Sequence, residues 1–103
     1  MINVVIFLHE INEAKELTDL LLREKLVAHA NIDETNITYT LENDEIVRSV
    51  NSVITAQTKA LLFSDIERFV IDMYGDKVQI FSMPITQSSH TFDSLIRNNT
   101  RKA

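Results

Sequence analysis

Imidazole is the most versatile metal ligand and proton carrier this chain offers, and it has three: His9, His29 and His90, with no cysteine beside them. None of the three stands at the i, i+4 spacing that aims two imidazoles at one ion from a helix, so no metal motif exists. Without cysteine, thiolate metal sites, disulfides and thiol redox chemistry are excluded. Glu42, Asp44 and Glu45 crowd one short stretch and offer oxygens to a hard cation, although a solvated acidic turn is the simpler reading. Serine, histidine and aspartate all occur, yet Gly75 is the only glycine, so neither a nucleophile elbow nor a glycine-rich phosphate loop can be built. No catalytic residues are assigned, no cofactor is expected, and an enzyme is the least favoured class. The polar strand positions Asn51, Thr55 and Gln79 remain. They suit a small neutral or anionic ligand in a cleft, or equally hydrogen bonds within an interface between subunits.

The elements that must position these residues follow from periodicity. Ile2 to Leu8 is almost unbroken Val, Ile, Phe and Leu, the pattern of a strand central in its sheet. Asn12 is the expected N-cap of a helix whose apolar stripe, Leu17, Leu20, Leu21, Val27 and Ala28, is widened by Leu22 and Leu26 and runs straight into a strand from Ala30. Arg23, Glu24 and Lys25 face water on that reading. After an irregular Asp33 to Asn36 that suggests a bulge, Ile37, Tyr39 and Leu41 alternate on one face. Glu42 to Glu45 forms the turn. Ile46 to Gln57 alternates in reply, with Ile46, Val50, Ile54 and Ala56 on one side and Ser49, Asn51 and Thr55 on the other. Ser64 to Glu67 reads as a capping box opening a second helix, which Gly75 ends as a left-handed cap after Tyr74. Val78 to Ile85 is a short strand, and Ser88 or Ser89 introduces a last helix bearing Phe92, Leu95 and Ile96. The tail from Arg101 to Ala103 is expected to fray.

That order predicts an α+β fold: a ferredoxin-like βαββαβ antiparallel sheet with an extra C-terminal helix, forming a single domain over residues 1–103. Two hairpin strands of about twelve residues reach about 40 Å at ~3.3 Å per residue, whereas a domain of this size has a radius of gyration near ~13 Å. The hairpin must therefore overhang its own core. Its unpaired edges call for another copy of the chain, with Ile37, Tyr39, Leu41, Val50, Asn51 and Val53 as the expected oligomer interface.

Composition narrows the partners. Ten Lys plus Arg against fifteen Asp plus Glu give a formal charge of −5, which disfavours nucleic acid. Apolar residues make up 45% of the chain, with no run near the ~20 residues of a membrane span, and the N-terminus has no basic segment before its short apolar run. No membrane partner is expected, and the cytoplasm is the expected location.

Leu26-Val27-Ala28-His29-Ala30-Asn31-Ile32, placed at a helix-to-strand junction after Glu24, resembles the Glu-Xaa-Leu-Ala-Ala-Cys-Val-Asn-Ile segment of the CutA family of divalent-cation tolerance proteins. Tyr39 in the long hairpin, the Ser64 to Glu67 segment, and Met83-Pro84-Ile85 before the closing helix extend the resemblance over nearly the whole chain. It implies a compact, non-enzymatic homotrimer whose long hairpins pair between subunits, loosely associated with divalent metal-ion tolerance or response, with a metal ion or small molecule as ligand. The departures fall on the chemistry. His29 replaces the family cysteine, Met73 stands at the family histidine, Leu41 and Asn43 replace the Trp and Gly of the hairpin turn, and Thr55 replaces a lysine. Of the family's His-Pro-Tyr-Glu-Val-Pro-Glu-Ile, only the acidic residue, as Asp76, and Ile80 remain. The metal candidate is thus His29 alone, placed to meet its symmetry mates or an acidic neighbour. Its plainer reading is a helix C-terminal histidine favourably set on the dipole. The alternative function is a PII-like small-molecule sensor, a signalling trimer binding an effector between subunits; the short Glu42 to Glu45 turn, with no protruding flexible loop, counts against it.

Overall fold

A computed structural model describes residues 1–102. The elements are β1 (Ile2–Leu8), α1 (Ile11–Arg23), β2 (His29–Glu42), β3 (Glu45–Thr58), a 3₁₀ turn (Ala60–Leu62), α2 (Phe63–Tyr74), β4 (Gln79–Pro84) and α3 (His90–Asn98). The strands form one antiparallel sheet in the order β2-β3-β1-β4, so β1 and β3 are central, as expected for the ferredoxin-like layout.

Strand alternation sorts the sheet into two faces. Val4, Ile6, Ile54 and Ala56 lie on the face that packs against Ala14, Leu17 and Leu21 of α1 and Ile66 and Val70 of α2, and all nine are fully buried. The same cluster includes Leu26 and Val27, which follow α1 instead of belonging to it. Here the sequence reading needs correction: the helix stops at Arg23 and does not run straight into the strand. The cause is a Schellman turn. Lys25 adopts φ 57°, Lys25 N–H donates to the Leu22 carbonyl at 3.0 Å, and Leu26 N–H donates to the Leu21 carbonyl at 3.0 Å. Leu26 is thereby folded back onto Leu21, the hydrophobic contact that accompanies such a cap. Leu22, expected on the stripe, stays 40% exposed.

Two expected caps are also corrected. The N-cap of α1 is Glu10, which makes no side-chain capping bond, so Asn12 lies inside the first turn. The 3₁₀ turn at Ala60–Leu62 feeds directly into α2, and this places Ser64 within the helix where it makes no capping bond. At the third helix the expectation holds: Ser89 Oγ accepts from Phe92 N–H at 3.2 Å. Gly75 ends α2 with φ 90° and ψ 172°, a region reserved for glycine but not the αL conformation anticipated. The last strand is shorter at both ends than Val78 to Ile85. Nor does Arg101 fray, since its N–H donates to the Lys25 carbonyl at 2.8 Å and its guanidinium pairs with Glu24 at 3.3 Å; Ala103 lies outside the described residues.

β1 borders β3 only from Ser52 to Thr58, so the outer half of the β2-β3 hairpin has no third strand beside it. The molecule measures 46 × 28 × 21 Å, with a radius of gyration of 14.4 Å. That exceeds the ~13 Å of a compact chain this long, as an overhanging ribbon requires. The suspected bulge is present: pairing slips by one residue between Asp33↔Val53 and Asn36↔Asn51. Ser52 Oγ donates to the Glu34 carbonyl across it at 3.2 Å. Because of the slip, Ile37 pairs Val50 on the same face on which Ile32 pairs Ile54, although one of the β2 residues is odd-numbered and the other even.

Candidate functional site

Beyond the bulge the ribbon has two unlike faces. One carries the pairs Ile37↔Val50, Tyr39↔Arg48 and Leu41↔Ile46. Relative exposure is 46% for Ile37, 64% for Tyr39, 65% for Leu41, 70% for Ile46 and 48% for Val50, a run of apolar side chains in water. The other face carries Asn36↔Asn51, Thr38↔Ser49 and Thr40↔Val47. Asn51 Nδ2 donates to Thr38 Oγ1 at 3.0 Å, which ties the two strands on the polar side. Four of the expected interface residues, Ile37, Tyr39, Leu41 and Val50, thus share one face. Asn51 and Val53 lie on the other, and Val53 is already buried within the chain.

The expected ligand residues are all on the sheet face turned away from α1 and α2, but not together. His29 pairs Gln57 in register, Thr55 lies between Asn31 and Val5, and Gln79 pairs Phe7 on the far edge strand. The His29–Gln57 pair is a built feature. His29 Nδ1 meets Gln57 Oε1 at 2.7 Å while Gln57 Nε2 donates to Asn3 Oδ1 at 2.8 Å. Since the Gln57 oxygen only accepts, His29 must donate from Nδ1, which leaves Nε2 as the free nitrogen of the neutral ring. Phe92 of α3 packs edge-on to the imidazole with ring centroids 5.9 Å apart. His29 is therefore not seated on a helix C-terminus: the helix ends six residues earlier, and His29 opens a strand.

Around His29 stand one imidazole, two amides already bonded to each other, and an aromatic ring. Among the described residues no group of three or more His, Asp or Glu side chains is placed to hold a metal ion. Within one chain, then, the donor set does not fit a transition-metal centre, which needs several N, S or O ligands around one point. The Gln57 contact was not anticipated. The signal for it was register alone, since a one-residue bulge fixes which β3 residue faces His29.

A second feature went unanticipated almost entirely. Under the overhang the polar face of the ribbon and the adjoining end of the sheet enclose a groove of about 400 Å³. Thr38, Thr40, Ser49 and Asn51 line its ribbon wall; His9, Tyr74, Lys77 and Gln79 line the core wall, with Phe7 and Val78 as its apolar part. Tyr74 OH donates to the Glu13 carbonyl at 3.3 Å, and burial, reinforced by Glu16 and Glu13, pushes the phenol up to about 12. It stays protonated, and a donor, at any physiological pH. Of the polar strand positions expected to suit a ligand, Asn51 and Gln79 belong to this groove, whereas Thr55 and His29 do not.

A sequence model of the family described as CutA1 divalent ion tolerance protein matches residues 2–99. Solved structures agree in fold. CutA1 from Oryza sativa superposes with a TM-score of 0.91 at 18% identity, covering 99% of this chain and 94% of that one. The divalent cation tolerance protein of Thermus thermophilus gives 0.88 at 21% identity over 98% and 100%, and the periplasmic divalent cation tolerance protein CutA of Archaeoglobus fulgidus gives 0.87 at 22% over 96% and 98%. No curated protein sequence matches significantly. No helix among the described residues is long and apolar enough to cross a membrane. The expectation of a protein without catalytic residues accords with the generally non-enzymatic character of these divalent-cation tolerance proteins. With the family model spanning nearly every residue and the fold reproduced throughout, this chain is a divergent member of the CutA1 divalent ion tolerance protein family.

Proposed function

We propose that residues 1–103 form a single CutA-like domain acting in the cytoplasm as a non-enzymatic homotrimer linked to divalent metal-ion tolerance or response. The observation that carries the assembly is the ribbon. Five large apolar side chains, Ile37, Tyr39, Leu41, Ile46 and Val50, lie 46% to 70% exposed on one face of a two-stranded overhang. β2 is also an edge strand along its whole length, so its outward backbone groups are free to pair. Burying the exposed half of each side chain contributes about 1 kcal/mol or more, and a second copy of the chain presents the same need. Phe81 and Met83, 45% and 44% exposed, add a separate apolar patch on the opposite, open face of the sheet. Any metal site in this reading draws on His29 of several subunits, because one chain supplies a single imidazole there.

Replacing Ile37 and Leu41 together by aspartate tests the role of the ribbon. Both side chains are solvent-exposed in the isolated chain, so the fold is expected to survive by circular dichroism while sedimentation shows the assembly broken into smaller species. An unchanged sedimentation coefficient for the double variant would remove the ribbon from the interface.

A further inference from the structure

We propose that the groove beneath the ribbon is a binding site for a small zwitterion carrying both an ammonium and a carboxylate, of the free amino-acid class. This goes beyond the assembly reading, since every lining residue belongs to one chain. The size is right: about 400 Å³ falls within the range of small-ligand sites.

The charges select the ligand class. Lys77 lines the groove with Glu13 and Glu42, and among the described residues none of the three makes an ion pair. The four ion pairs among the described residues join Arg23, Arg68, Arg97 and Arg101 to other acids, all elsewhere. One hollow therefore collects unpaired charge of both signs. A polyanion such as a nucleotide phosphate would meet one lysine and two carboxylates, a net repulsion, and a bare cation would meet Lys77. A ligand with a carboxylate for Lys77 and an ammonium for the glutamates satisfies both, through charge-assisted hydrogen bonds stronger than neutral ones.

The uncharged lining completes the specificity. Thr38, Thr40 and Ser49 stand on the ribbon wall; on the core wall Lys77 donates and the Tyr74 oxygen, whose proton goes to the Glu13 carbonyl, accepts, so donors and acceptors are available on both sides of the ligand. Phe7, Val47 and Val78 provide an apolar patch for the ligand's side chain. The walls are supported from behind: Tyr74 is anchored to the Glu13 carbonyl at 3.3 Å, and Asn51 to Thr38 at 3.0 Å. The bulge at Asp33 to Asn36 redirects the ribbon as it leaves the sheet, and thus shapes the hollow.

The test is isothermal titration of the full chain with L-leucine, L-phenylalanine and L-glutamine, each at millimolar concentration. Isoamylamine and 4-methylvalerate serve as analogues of leucine with one charge each, and pyrophosphate as the polyanion. The variants are Lys77→Ala and Ser49→Trp, with light scattering on every sample. The expected result is saturable binding of at least one amino acid, little or none of the single-charge analogues or pyrophosphate, and affinity reduced by about tenfold or more in Lys77→Ala and abolished by the bulk of Ser49→Trp. No amino acid binding, preference for pyrophosphate, equal binding of a single-charge analogue, or affinity unchanged in Lys77→Ala and Ser49→Trp would each overturn the proposal. A failure of assembly shows instead as a changed mass, and is thereby distinct from loss of binding at constant mass.

Discussion

His29 Nδ1 is committed to Gln57, and Gln57 in turn to Asn3, so the imidazole is fixed in one tautomer with only Nε2 free. Second-partner bonding of this kind is what orients histidine in metal sites, but among the described residues no other ligands are grouped with it. Calorimetric titration with Cu²⁺ and Zn²⁺ at neutral pH is expected to show no stoichiometric binding tighter than about micromolar, with the weak residue removed in His29→Ala. Submicromolar binding by the wild type would contradict this, and unchanged weak binding in the variant would clear His29. Gly75 presents a different single-residue requirement. An added Cβ meets nothing within 4 Å, so the cost of Gly75→Ala is backbone strain at φ 90°, ψ 172°, about 1–3 kcal/mol. Urea unfolding should show the lowered midpoint. Gly75 was readable as a helix terminator because glycine advertises positive φ, whereas Lys25, Asn43 and Asp44 adopt it too. Lysine carries no such signal, and the early end of α1 at Arg23, set by the turn through Lys25, was lost for that reason.

At the scale of elements, the hairpin shows what alternation can and cannot give. Apolar residues at every second position of β2 and β3 identify two strands and their faces, and the gap at Asp33 to Asn36 identifies the bulge. The partner of each residue is another matter, since it depends on the turn. Asn43 and Asp44, with φ 50° and 65°, are the two central residues of a tight turn of the I′ kind. Glycine is preferred at the second of them, so Asp44→Gly is expected to stabilise the chain by about 0.5–1 kcal/mol, read as a rise in thermal midpoint. A lower midpoint would mean that the turn is of another type. The caps expected at Asn12 and Ser64 failed for one physical reason. A capping bond needs the residue just outside the helix, and at both ends the helix starts earlier, at Ile11 and at Phe63 behind its 3₁₀ turn. The groove beneath the ribbon escaped notice because its walls come from β1, α1, β2, β3, α2 and β4, whose approach only the folded chain displays.

The whole molecule is an α+β sandwich with an arm. Its core closes on itself: Val4, Ile6, Leu17, Ile54, Ile66 and Val70 are completely buried without help from any partner. Its arm does not, because β1 reaches only as far as Ser52 while the hairpin continues to Glu45. Length and alternation made this overhang visible in the sequence, since a strand pair longer than the rest of the sheet must leave the sheet. What length cannot give is the number of copies that meet, for that depends on the angle at which the arm leaves the bulge. The trimer is therefore the claim most worth measuring. Multi-angle light scattering on the purified chain at micromolar concentration is expected to return three times the 11.8 kDa of one chain. A stable monomer at 11.8 kDa under those conditions would contradict the account.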